Sequence, residues 1–64
     1  EHLDFIGIET ALKKLKPEQL YLIQLAYFQG YTQEEISEEA GIPLGTVKTR
    51  IRSALQTLRD ELRN

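Results

Sequence analysis

Residues Thr32 to Leu62 read TQEEISEEAGIPLGTVKTRIRSALQTLRDEL, and the reading of this stretch decides the fold. Thr32-Gln33-Glu34-Glu35 has the form of a capping box. The Thr hydroxyl accepts from an amide of the first turn, and Glu35 reaches back to the amide of Thr32. A helix is therefore expected to start at Thr32. Ile36 and Ala40, at i and i+4, face inward, and Ser37 is small where two helices approach closely. Gly41 ends the helix with a positive φ, Ile42 plugs the core, and Pro43 keeps the helix from continuing. A second helix then runs from about Leu44 to Leu62. Along it Val47, Ile51, Ala54, Leu55, Leu58 and Leu62 form one apolar stripe about 100° wide. The opposite face carries Gly45, Thr49, Arg52, Ser53 and Gln56, with Thr46 and Lys48 on its shoulders. A short helix, a tight turn and a long helix with a basic first half form the pattern of a helix-turn-helix, whose second helix enters a DNA major groove.

Upstream, Pro17 suits the first turn of a helix, where its missing N–H costs nothing. That helix is expected to reach Gln29, with Gly30 in the left-handed conformation that ends it. Leu22, Leu25, Ala26 and Gln29 lie on one side, and Leu20, Ile23 and Tyr27 on another. Being apolar on more than one face, it reads as the central helix of a small bundle. Phe28 and Tyr31 read as core or core-edge residues, not as base-stacking platforms. Before it, residues 3–15 hold Ile8, Leu12 and Leu15 at i, i+4, i+7, with Asp4 as a candidate cap and Gly7 weakening the first turn. The expectation is an all-α, four-helix domain containing a helix-turn-helix, of the winged-helix-like class. Residues 1–64 form a single domain. The chain starts at Glu1 without a Met, so it is expected to be the C-terminal part of a longer protein.

The formal net charge is −2, which at first argues against nucleic acid. Its distribution matters more. Up to Ile42, eight acids face three lysines; from Pro43 onward, Lys48, Arg50, Arg52, Arg59 and Arg63 outnumber Asp60 and Glu61. The basic excess therefore sits on the long helix. There is no cysteine, so no disulfide or thiolate chemistry, and no apolar run reaches the roughly 18 residues of a membrane span. An enzyme is not expected. His2 is the only histidine, there is no metal cluster or Gly-rich phosphate loop, and the pairs Glu34-Glu35 and Glu38-Glu39 lie on a helix surface with no cleft to perturb them. No cofactor is implied.

The run Gly41-Ile42-Pro43-Leu44-Gly45-Thr46-Val47-Lys48-Thr49-Arg50-Ile51-Arg52-Ser53-Ala54 resembles the second half of region 4 in bacterial group IV (extracytoplasmic function) sigma factors. Tyr27-Phe28-Gln29-Gly30-Tyr31-Thr32-Gln33-Glu34-Glu35-Ile36 resembles the family's junction between its second and third helices, and Pro17-Glu18-Gln19 the opening of the second. Ser37 stands where the family often has Ala, and Lys16 where Leu commonly precedes the Pro. The resemblance implies a cytoplasmic transcription initiation factor. It would read the promoter −35 element, dock on the β flap of RNA polymerase and be covered by an anti-sigma factor. By the same resemblance Lys48, Thr49, Arg52 and Ser53 approach base edges, and Gly45 permits close approach. Thr46 and Arg50 sit near phosphates, and Tyr31, Thr32 and Gln33 meet the backbone at a helix N-terminus. Leu12, Leu15, Ile23 and Tyr27 form the surface for polymerase or an anti-sigma factor.

Each residue also has a plainer reading. Lys48 and Arg52 suit a solvated basic face. Arg50 lies about 60° from Val47 on the helical wheel, so an internal ion pair with Glu34 or Glu38 competes with a DNA role. Gly45 suits simple relief of crowding. Two other functions share the pattern: a sigma-like decoy that binds an anti-sigma factor and never touches DNA, and the effector domain of a quorum-sensing type response regulator. The Gly45-Thr46-Val47 run counts against the latter.

Overall fold

The computed structural model describes residues 5–63. Glu1 to Asp4, and with them the expected Asp4 cap and His2, lie outside the described residues, as does Asn64. Helix α1 spans Phe5–Leu12 and α2 spans Pro17–Ile23. The latter continues without a break as a π-helical turn, Gln24–Phe28. Then come α3, Gln33–Ala40, and α4, Leu44–Arg63. No strand occurs among the described residues, so the all-α expectation holds and no β wing accompanies it.

The first helix is shorter than the apolar spacing suggests. After Leu12 the chain tightens, with the Lys14 amide bonded to the Ala11 carbonyl and that of Leu15 to Leu12, and the turn drops Leu15 into the core. Pro17 opens α2 as expected, and the Lys16 amide donates to Gln19 Oε1 at 2.9 Å. The capping box of α3 is complete: Thr32 N donates to Glu35 Oε1 at 2.8 Å, and Glu35 N to Thr32 Oγ1 at 3.0 Å. Gly41 closes α3 at φ 70°, and the amides of Gly41 and Ile42 both bond the Ser37 carbonyl. Ser37 does more than stay small, since its hydroxyl donates to the Ile42 carbonyl at 2.6 Å and stitches the turn. The Pro43 carbonyl then accepts from Thr46 and Val47 to start α4.

The core collects Leu15, Leu22, Ile23, Leu25, Ile36, Val47, Ile51 and Ala54. Leu22, Ile36 and Val47 are the largest side chains buried completely. Ile42, Ala40, Leu55 and Leu58 pack at its edge, so the expected stripe of α4 faces inward for its first three turns and frays outward at Leu62, 40% exposed. The twenty-residue α4 spans the long dimension of a body measuring 35 × 18 × 18 Å and leaves a flank in solvent.

One expectation about the second helix needs correction. At α-helical spacing Tyr27 follows Ile23 at i+4 and shares its face. The π turn is marked by the Gln29 amide bonding Gln24 O. Ile23 is 3% exposed, but Tyr27 is 60% and Phe28 65%. Phe28 is therefore a surface residue and not part of the core or its edge.

Candidate nucleic-acid interface

The free flank of α4 carries the residues expected to read DNA. Gly45, Lys48, Thr49 and Arg52 are exposed, and Thr46 is half-buried. Lys48, Thr49 and Arg52 line a shallow groove of about 210 Å³. Lys48 and Arg52 also border a larger one of about 450 Å³ between the π turn, the start of α3 and α4. Gln33, Tyr27, Gln56 and Arg59 complete its rim over a floor of Ile51 and Leu55. No carboxylate lines either groove. In a chain with more acids than bases, that sorting makes this flank a cationic surface.

The crowding explanation for Gly45 fails. A Cβ built there meets no heavy atom within 4 Å. Glycine is unfavourable in a helix by roughly 0.5–1 kcal/mol relative to alanine, and nothing inside the domain compensates. The internal ion pair considered for Arg50 does not form either; Arg50 is exposed and joined to neither Glu34 nor Glu38.

Three candidates have settings the sequence did not indicate. Ser53 is exposed on the flank of α4 that meets the start of α2, where its Oγ accepts from Gln19 Nε2 at 3.1 Å. Its own proton stays free to donate, but toward the α2 side. Gln56 is engaged along its helix, accepting from Arg59 Nη1 at 3.2 Å and donating to Asp60 Oδ1 at 3.0 Å. Tyr31 is half-buried and lines a groove with Glu35, Glu38 and Glu39 on another face of α3. That setting repels phosphate, and of the three residues expected at the capping end Gln33 is the one that lines the cationic groove.

The proposed protein-binding set also divides. Leu15 and Ile23 are 7% and 3% exposed and belong to the core, because the turn after α1 and the α-helical part of α2 point them inward. They offer no surface. Leu12 does, lining a groove of about 270 Å³ with Leu20, Glu9, Lys13 and Gln24. Leu20, grouped in the sequence with Ile23, is the member that spacing alone did not single out. Tyr27 faces the cationic groove of α4. Arg59 was missed too, although it stands seven residues after Arg52 and eleven after Lys48, on the same flank of the wheel. Among the described residues no group of three or more His, Asp or Glu side chains is arranged to hold a metal ion, and no helix is long and apolar enough to cross a membrane.

A capped short helix, a left-handed glycine turn and a long helix with a cationic flank define a helix-turn-helix domain. The family model for sigma-70, region 4 matches residues 11–60, and the chain belongs to that family. It is 44% identical over 52 residues to the ECF RNA polymerase sigma factor RpoE of Cereibacter sphaeroides, covering 81% of this chain and 29% of that protein. Similarity to SigL of Mycobacterium tuberculosis is 39% over 57 residues, covering 89% and 32%. For SigK of Mycobacterium bovis it is 40% over 53 residues, covering 83% and 28%. The chain thus spans about a third of the length of these curated relatives, all of them ECF sigma factors.

Proposed function

We propose that this domain binds promoter DNA at the −35 element and helps recruit RNA polymerase in transcription initiation, as a sigma factor acting in the cytoplasm. The observation that supports it best is the sorting of charge around α4. Lys48, Thr49 and Arg52 are exposed, half-buried Gln33 lines the larger groove with Lys48 and Arg52, and neither groove is lined by a carboxylate. In this reading α4 enters the major groove. Arg52 and Lys48 donate to guanine O6 and N7, and Thr49 contacts a base edge or sugar. Gly45 lets the DNA approach the first turn of α4 closely, with Thr46 beside it. Arg50 and the capped start of α3, Thr32 and Gln33, hold the phosphates that set the register. Ser53 acts at the edge of this surface, on the α2 side.

Polymerase, or an anti-sigma factor in its place, would dock on the α1–α2 side, in the groove holding Leu12 and Leu20. That groove shares no lining residue with the cationic grooves. The net charge of −2 keeps the domain's own DNA affinity low, because non-specific affinity comes from phosphate neutralisation. Attachment to polymerase compensates by raising the effective concentration at the promoter.

Selection of duplexes from a randomised library tests the reading. The chain should enrich one short motif. Arg52→Ala should lose preference at one or two positions, since each bidentate base contact supplies about 1–3 kcal/mol of discrimination, while leaving the thermal melt unchanged. A chain that enriches no motif, yet captures a protein partner through Leu12 and Leu20, would place it with the decoys instead.

A further inference from the structure

The larger groove holds two residues that the base-reading account leaves unused. Tyr27 is a large aromatic, 60% exposed, on the π turn. π-helical turns are uncommon and concentrate at functional sites. Arg59 lies across the groove, one of its N–H groups held by Gln56 Oε1 at 3.2 Å and the rest of its fork unused. Between them the groove offers a phenol, an amide from Gln33 and three cations, Lys48, Arg52 and Arg59, with no acid.

We infer that this groove carries the phosphate backbone of one DNA strand, with Tyr27 and Arg59 as the outer contacts that anchor it. The inference rests on the proposed DNA-binding reading and extends it to a site beyond the recognition surface. From Lys48 to Arg59 is eleven residues of α-helix, about 16 Å at 1.5 Å each, so the groove reaches well past the first turns of α4 that enter the DNA. Lys48 and Arg52 border both grooves, so the strand lying in the larger one is continuous with the bases read from the smaller. Tyr27 donates its hydroxyl to a phosphate oxygen while its ring lies along the apolar floor of Ile51 and Leu55. Arg59 adds the charge.

The two contacts differ in kind, and salt separates them. Arg59 neutralises a phosphate and releases a counterion; the Tyr27 hydroxyl does neither. Fluorescence anisotropy of labelled duplexes is measured over a salt series for the chain, for Tyr27→Phe and for Arg59→Gln, on an enriched and an unrelated sequence. Both variants should weaken both sequences equally. Arg59→Gln should lower the slope of log K against log salt by about 0.9, and Tyr27→Phe should cost about two- to tenfold in affinity at unchanged slope. Duplex binding identical to the parent chain in both variants overturns the inference while leaving the DNA-binding reading intact. No binding of any duplex by the parent chain removes that reading and this inference together. A poly-L-glutamate probe that binds, and loses affinity in both variants while the duplex does not, assigns the groove to an acidic protein segment instead. Both side chains are exposed, so their loss leaves the fold in place.

Discussion

Replacing Gly45 by alanine separates the cost of this glycine to the fold from its use at the interface. A methyl group at Gly45 enters open space, and the backbone there belongs to α4. Alanine should therefore stabilise the domain. In a helix interior the gain is about 0.5–1 kcal/mol, and a position in the first turn sits near the lower value. Unfolding entropy of about 2.1 cal/mol/K per residue amounts to about 0.13 kcal/mol/K for a chain of this length, so a gain of about 0.5 kcal/mol raises Tm by roughly 4 °C. Gly41 supplies the control. A Cβ there also meets nothing within 4 Å, but φ is +70°, so alanine must adopt the left-handed conformation. The penalty is about 1–2 kcal/mol, or a fall in Tm of roughly 7–15 °C. Two identical substitutions in equally open space should thus move Tm in opposite directions, read by circular dichroism melts. In the same samples Gly45→Ala should weaken duplex binding, because the added methyl holds the DNA away from the helix start. A fall in Tm for Gly45→Ala would refute the claim that the fold has no need of the glycine. A rise in Tm with undiminished DNA affinity would refute the claim that the interface needs it.

Other substitutions test the placements reported above. Thr32→Ala and Glu35→Ala each remove one half of the capping box. Thr32→Ala should cost about 1 kcal/mol, and the double variant should cost less than the two losses combined, because each half supports the other. Additive losses in urea titrations would show that the two hydrogen bonds act independently. Leu22→Ala, at a side chain 1% exposed, should cost about 2–5 kcal/mol. That is a large share of the roughly 3–10 kcal/mol expected for the whole chain. Phe28→Ser should change stability by no more than about 0.5 kcal/mol, since the ring is exposed. A loss at Phe28 comparable to that at Leu22 would restore it to the core.

Local chemistry explains which parts of the molecule were legible in the sequence. The start of α3, its glycine end and the proline before α4 are set by residues within four positions of one another, and all three appear where the sequence puts them. The stripe of α4 is also legible, because twenty residues at one period leave little choice of face. The π turn is not. No residue in Gln24-Leu25-Ala26-Tyr27-Phe28 forces an extra residue into the turn, and the sequence alone reads as continuous helix. Phe28, expected in the core or at its edge, lies exposed at the end of this turn. Leu15 and Ile23 failed differently. An apolar residue on a helix looks the same in sequence whether it faces a partner or the core, and only the packing of α1, α2 and α4 decides. Among the site residues, two have surroundings set by contacts distant in sequence or by charged neighbours. Ser53 is tied to Gln19, 34 positions away, and Tyr31 stands among Glu35, Glu38 and Glu39.

The position of those acids bears on how so acidic a chain could meet DNA. Glu35, Glu38 and Glu39 border a groove with Tyr31, whereas Gln33, one turn earlier, borders the cationic one. Helix α3 thus divides two fields of opposite sign, separated by little more than its own diameter of about 10 Å, near one Debye length at 0.1 M salt. A polyanion nearing the cationic flank is attracted over a short range, and one nearing the acidic side is repelled. Long-range attraction is absent because the total charge is slightly negative. Such a domain gains little from non-specific sliding and discriminates strongly by orientation. Charge reversal at Glu38 and Glu39 to lysine should then raise affinity for unrelated duplexes far more than for the enriched motif. A comparable rise for both sequences would mean that the acids merely lower affinity overall.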